Sequence, residues 1–191
     1  MPLPPTWTPA EARAVGLTRG HLRGPSFVRL AHGLTARLDD AVDESERLRL
    51  VARVLPADAA YSHATAAALL GAPVDAPRRA HIVLTPRRVL PQRAEFVTHA
   101  RRLLPEDVVQ HRGLRLTSGA QTFLDLAATP PPWDLVAVGD ALMRAGHLDQ
   151  ANLARRLSRA ARVRGVVRAR ECAPLLSSLA MPGPRASSGT G

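Results

Sequence analysis

Lysine is absent from this sequence, cysteine occurs once in 191 residues, and aromatic side chains make up only 3%. The single cysteine, Cys172, excludes an intramolecular disulfide and a cysteine-cluster zinc site. With so few aromatics the core must be built from alanine, leucine and valine, of which alanine and leucine are among the strongest helix formers. Material for that core is plentiful, since 46% of the residues are hydrophobic. No apolar run approaches the roughly 20 residues that span a bilayer. The start, Met1-Pro2-Leu3-Pro4-Pro5, lacks the basic opening and apolar stretch of a secretory signal. These absences predict a cytoplasmic protein that does not meet a membrane. The chain carries neither an internal repeat nor a glycine-rich phosphate loop, and its length suits one mid-sized domain or two small ones.

What is abundant is positive charge. Basic residues number 26 against 16 acidic ones, a formal net charge of +10, and the isoelectric point is near 11.6. A GC-rich coding sequence also selects arginine over lysine, so only the excess is informative. An isoelectric point above about 9 is the electrostatic footprint of nucleic-acid binding, and acidic protein partners would call for the same balance.

Local signals divide the chain. Thr8-Pro9-Ala10-Glu11 is a capping box with proline at the first helical position, and Gly16 stops the helix it opens. Thr18 is placed to cap a second short helix from Arg19 to Arg23, ended by Gly24-Pro25. Two short helices about a glycine-containing turn are a helix-turn-helix pattern. Phe27–Leu30 and Leu34–Arg37 flank His32-Gly33 as a hairpin, where a winged helix carries its wing. Asp43 to Leu55 is an amphipathic helix, and His63 to Leu70 an alanine-rich one ended by Gly71. Strands are expected at Ala80–Thr85 and Glu95–His99, and a hairpin pairs Asp107–His111 with Leu114–Thr117 across Arg112-Gly113. Ser118 to Gln121 is a second capping box. Helices are then expected over Trp133–Arg144, Leu148–Arg162 and Val166–Leu176. From Ser177 the composition turns to Ser, Gly, Pro and Ala without period, which predicts a disordered tail. The expected fold is mixed α/β (α+β). Its parts are an abbreviated winged helix-turn-helix over 1–40, a larger strand and helix domain over 41–176, and the tail over 177–191.

No enzyme is expected. Ser62-His63 resembles a nucleophile and its base, but neighbouring residues on a helix do not face each other, and an N-cap serine is the simpler reading. The seven histidines have no helical ligand spacing beside a carboxylate or cysteine, so no metal or other cofactor is expected. His81 and His99 can approach across strands. Asp39-Asp40 and Asp43-Glu44 favour the start of the following helix rather than holding a metal. The basic segments remain. Arg19, His21 and Arg23 would sit on the recognition helix with Arg29 in the wing. From Arg155 to Arg170 the arginines run without an intervening acid, and Arg155, Arg159 and Arg162 would share a helix face toward phosphates.

Several ordered segments carry a family resemblance. They are Gly16-Leu17-Thr18-Arg19 with the following hairpin, Tyr61-Ser62-His63-Ala64-Thr65-Ala66-Ala67, His81-Ile82-Val83-Leu84-Thr85 and Gly113-Leu114-Arg115-Leu116-Thr117-Ser118. Thr122-Phe123-Leu124-Asp125-Leu126-Ala127, Val138-Gly139-Asp140-Ala141-Leu142 and Gly165-Val166-Val167-Arg168 continue the series. In order and spacing, over roughly 8–172, they resemble the AbiEi-type antitoxins of type IV toxin–antitoxin systems, in their actinobacterial branch. The resemblance implies a winged helix-turn-helix that binds operator DNA and represses its own operon. It also implies a larger domain that counters a nucleotidyltransferase-like toxin without a stable complex. The winged segment is shorter than the family's, and the very-short-patch-repair-endonuclease-like domain of many actinobacterial relatives is missing after Leu176. The other readings are a protein-interaction module with no role at DNA and a remnant of the nuclease-fused form.

Overall fold

Thr8 does what its spacing predicts. Its hydroxyl accepts from the Glu11 amide at 3.3 Å, and the Glu11 carboxylate accepts from the Thr8 amide at 2.8 Å, which closes the capping box of α1 (Pro9–Ala14). At the other end Leu17 N–H donates to Ala12 and Gly16 N–H to Arg13, the two bonds of a Schellman stop, with Gly16 at φ +77° where a side chain would be strained. The computed structural model containing these elements describes residues 6–37, 43–90, 93–129 and 134–176. The acidic pair at 39–40, Pro91, the proline run with Trp133, and the expected tail over 177–191 lie outside the described residues.

The described residues fall into two compact units. The first is drawn from Met1–Tyr61, Arg78–Leu103 and Gln110–Leu116, the second from Ser62–Pro77, Leu104–Val109 and Thr117–Gly191. In the first unit β1 (Thr6–Trp7), β2 (Phe27–Ala31) and β3 (Leu34–Arg37) form an antiparallel sheet in the order β1-β3-β2. The register of β2 shifts between Arg29 and Ala31. That bulge breaks the usual alternation, leaving Val28 and Arg29 both exposed and Leu30 and Ala31 both buried. Helix α2 (Glu44–Ala52) follows, with the Asp43 carboxylate accepting from Glu46 N–H at 2.7 Å.

A second, five-stranded sheet has the order β6-β5-β4-β8-β7, formed by β4 (Ala60–Tyr61), β5 (Ala80–Leu84), β6 (Phe96–Ala100), β7 (Val108–His111) and β8 (Leu114–Thr117). Strand β5 runs parallel to β6 and antiparallel to β4, while β4 pairs in parallel with β8 through Tyr61 and Leu116. The β7–β8 turn carries positive φ at both Arg112 (+48°) and Gly113 (+77°), matching the twist of tight hairpins. The central strand β4 had no counterpart among the expected elements. Its Tyr61 is 1% exposed and donates to the Leu48 carbonyl of α2 at 2.7 Å, and burial pushes its phenol well above the ordinary range.

The second unit is helical. Helix α4 (Gly119–Ala128) is buried from Gly119 to Ala127 and packs against α3 (His63–Leu69), α5 (Leu135–Arg144), α6 (Gln150–Ser158) and α7 (Val166–Cys172). Glycines permit the tightest of these approaches. A Cβ on Gly119 would lie 2.1 Å from the His147 carbonyl oxygen, and one on Gly165 would lie 2.6 Å from the Ala128 nitrogen. The mixed α/β class is as expected, but several helices are shorter. α6 ends at Ser158 rather than Arg162, and α7 gives way to a 3-10 turn over Ala173–Leu175. The segment expected as a recognition helix, Arg19–Arg23, is a single 3-10 turn over His21–Arg23. Gly24 and Pro25 leave it no room to propagate.

Candidate nucleic-acid interface

Side-chain bonds of Thr18 and His21 close the corner at the 3-10 turn. Thr18 and His21 hold each other reciprocally, with His21 N–H donating to the Thr18 hydroxyl and Thr18 N–H donating to His21 Nδ1, both at 3.2 Å. The histidine plays the part that glutamate plays in an ordinary capping box. Because Nδ1 accepts, a neutral His21 carries its proton on Nε2.

Between α1, this turn and the β2–β3 hairpin lies a cleft of about 770 Å³. Arg19, Arg23 and Arg29 all line it, joined by Arg13 from α1, and its apolar floor includes Leu17, Leu22 and Phe27. Arg29 is held in place, its Nη2 lying 2.9 Å from His32 Nδ1 and its Nε donating to the Ala31 carbonyl at 3.4 Å. The β2 bulge puts that side chain on the exposed face. Glu11, the one acid of α1, is engaged elsewhere, accepting from Arg53 at 2.7 Å. The Thr8 amide bond and, secondarily, Arg53 hold its carboxyl below the usual range. Among the described residues no carboxylate pairs with Arg13, Arg19 or Arg23. Arg13 was missed because the capping box made α1 read as structural; its position one turn before Gly16 is the signal that could have placed it. His21 stands beside the group but does not line the cleft.

The arginines of α6 do not form the face that the sequence suggested. Arg162 lies four residues beyond the last helical residue, Ser158, at φ +58°. It therefore shares no helix face with Arg155 and Arg159. Arg159 Nη2 lies 2.9 Å from Asp107 and its Nη1 3.5 Å from Glu106, so acids distant in sequence neutralise it. Arg156 is buried, at 7% exposure, because Leu153, Arg156 and Leu157 follow i, i+3, i+4 spacing and turn inward together. Its Nε donates to Gln121 Oε1 at 2.7 Å and lies 3.4 Å from Asp107. Gln121 in turn donates to Asp125 at 2.7 Å. The second capping box is therefore half formed: Ser118 accepts from the Gln121 amide, while the glutamine side chain leaves for this network.

Ser62 and His63 overturn the argument from helix geometry. His63 takes φ +52°, and this backbone turn brings its Nδ1 to 2.9 Å from the Ser62 hydroxyl. Ser62 occupies the N-cap position of α3 but makes no capping bond with its side chain. Asp125 Oδ2 is 3.8 Å from the same His63 nitrogen. A relay needs the base to meet nucleophile and carboxylate through different nitrogens, whereas here both face Nδ1. Ser62 is also fully buried. His81 and His99 meet across β5 and β6 as expected, with Nδ1 and Nε2 3.1 Å apart and the rings stacked. Burial, then the charges of His81 and Arg101, pushes His99 down to about 4, and burial lowers His81 as well.

Comparison with known proteins bears on the fold and the family. Among solved structures, the chain is similar to the crystal structure of the Rv2827c protein from Mycobacterium tuberculosis, at 19% identity and a TM-score of 0.58, over 94% of this chain and 79% of that one. That likeness is one of fold. No curated protein matches the chain. Among the described residues no helix is long and apolar enough to cross a membrane. The model of the AbiEi antitoxin C-terminal domain matches residues 58–176, well over half of the chain, and this chain therefore belongs to the AbiEi antitoxin family.

Proposed function

We propose that the chain is the antitoxin of a type IV toxin–antitoxin system and represses its own operon by binding operator DNA through the N-terminal cleft. The observation that carries this reading is the convergence of Arg13, Arg19, Arg23 and Arg29 on one cleft beside a short hairpin. Arg19, His21 and Arg23 meet the bases, Arg29 the sugar-phosphate backbone, and exposed Arg155 and Arg162 add phosphate contacts. With Arg159 held by Glu106 and Asp107, its share in the phosphate contacts is the smallest of the set. The 3-10 turn is too short to fill a major groove as a full recognition helix does, so phosphate contacts dominate affinity and the turn reads few bases. The protein is non-catalytic, needs no cofactor, acts in the cytoplasm, and opposes a nucleotidyltransferase-like toxin without a stable complex. Family membership supports the antitoxin role; the charge and the cleft support DNA.

The test is binding of the purified chain to its own upstream DNA and to a scrambled duplex at two salt concentrations. Preference for the upstream duplex that survives the higher salt is expected. Equal binding that salt abolishes on both duplexes overturns autoregulation, because counterion release alone then explains the affinity.

A further inference from the structure

We infer that the N-terminal cleft is also a small-molecule site, and that its ligand is a nucleoside phosphate. The inference goes beyond DNA recognition and does not depend on it. A DNA backbone needs only a basic surface, and here the arginines line a concavity as well. At about 770 Å³ the cleft falls within the roughly 300–1,000 Å³ range of small-molecule pockets. Its chemistry has two parts. Arg13, Arg19 and Arg23 bring positive charge that no described carboxylate neutralises, and Arg29 is already oriented by the Ala31 carbonyl and His32. Guanidinium forks of this kind suit a phosphate dianion, which they bind in bidentate fashion. Leu17, Leu22 and Phe27 supply an apolar floor with one aromatic ring, which suits a planar base and would be wasted on a bare anion. The ligand must therefore carry a phosphate and a flat ring in one small molecule.

The same chemistry exists free in solution and at the phosphorylated 5′ end of a nucleic-acid strand. Isothermal titration of the full chain with the four nucleoside 5′-monophosphates, adenosine, inorganic phosphate, and a short strand with and without a 5′-phosphate separates the sources. At least one monophosphate is expected to saturate one site, with phosphate alone and adenosine alone each weaker by about tenfold or more. A 5′-phosphorylated strand that binds tighter than the free nucleotides, and much tighter than its unphosphorylated form, would make the strand end the source and leave the ligand chemistry intact. Arg13→Gln is expected to weaken the nucleotide about tenfold, because one charge-assisted bond is lost. Arg144→Gln, which removes the same charge from an exposed site on α5, should leave affinity unchanged. Trp7, whose ring lies 5.9 Å from that of Phe27, gives a local reporter: its fluorescence in a Trp133→Phe background should change on binding.

Phosphate binding as tight as any nucleotide, no binding by any of the four, or equal weakening by both arginine variants would each overturn the inference. Nucleotide binding without operator binding would sink the DNA reading alone, and operator binding without nucleotide binding would sink this one alone.

Discussion

Replacing Asp107 by alanine tests the buried network of the second unit most directly. The Asp107 side chain is 4% exposed, accepts from Leu104 N–H at 3.0 Å and from Arg159 at 2.9 Å, and lies 3.4 Å from the buried Arg156. Three terms are lost together. Taking one partner from a buried ion pair costs about 3–5 kcal/mol. Gln121 still accepts from Arg156 Nε after the change, which places the effect at the lower end of that range. The Leu104 amide loses its acceptor, worth about 1 kcal/mol where solvent can reach it. Arg159 is one-third exposed, so its share is about 0–1 kcal/mol. The expected total is about 4 kcal/mol, which at a urea slope of about 2 kcal/mol per molar lowers the unfolding midpoint by about 2 M. Urea unfolding followed by circular dichroism reads this shift. Arg159→Ala, measured beside it, should move the midpoint by less than about 0.5 M. If Asp107→Ala costs no more than Arg159→Ala, the Arg156–Asp107 contact does not hold α6 in place and the argument from burial fails.

Gly119→Ala should destabilise by more than about 3 kcal/mol, since its Cβ would sit 2.1 Å from a carbonyl oxygen that belongs to backbone and cannot rotate away. Thermal unfolding with a loss below 1 kcal/mol would refute that packing. For pH, the folded His99 pKa is about 4 while the unfolded value is near 6.5, so between these values only the unfolded chain holds the proton. Stability is therefore complete above about pH 6.5 and falls as pH drops toward 4. His99→Gln should flatten the decline of Tm across that window, and an unchanged slope would remove His99 as its cause. At the cleft, Arg29→Ala should lower the salt slope of duplex binding by about 1 for all sequences, since it meets phosphate. A loss confined to one base position would instead make it a base reader.

Much of the backbone was legible because its signals are local. The Thr8 box, the Gly16 stop, the β2–β3 turn and the Arg112-Gly113 turn each depend on four or five consecutive residues. Strand β4 was not legible: two residues have no period, and what makes them a strand is their pairing with β5 and β8. The contact of His63 with Ser62 depends on a positive φ that no histidine advertises. For the candidate site, the cluster of Arg19, Arg23 and Arg29 followed from their short separation in sequence, whereas the concavity between them did not. The face expected of Arg155, Arg159 and Arg162 did not form because the helix ends at Ser158 and because Asp107, which meets Arg159, lies 52 residues earlier in the chain. Composition counts such charges as surplus, but folding pairs them. The inward turn of Arg156 was readable from its spacing with Leu153 and Leu157.

The parallel pairing of Tyr61 with Leu116 bears on the order of assembly. Strand β4 cannot gain its second neighbour until more than fifty further residues have been made, and closing so long a loop must precede any return from the contact. The cleft, by contrast, is lined by residues 9 to 35 alone, all near neighbours in sequence. During synthesis the arginine-lined corner is complete in sequence while the five-stranded sheet still lacks its central pairing. The residues that line the basic cleft are thus all made before the family's defining domain is complete.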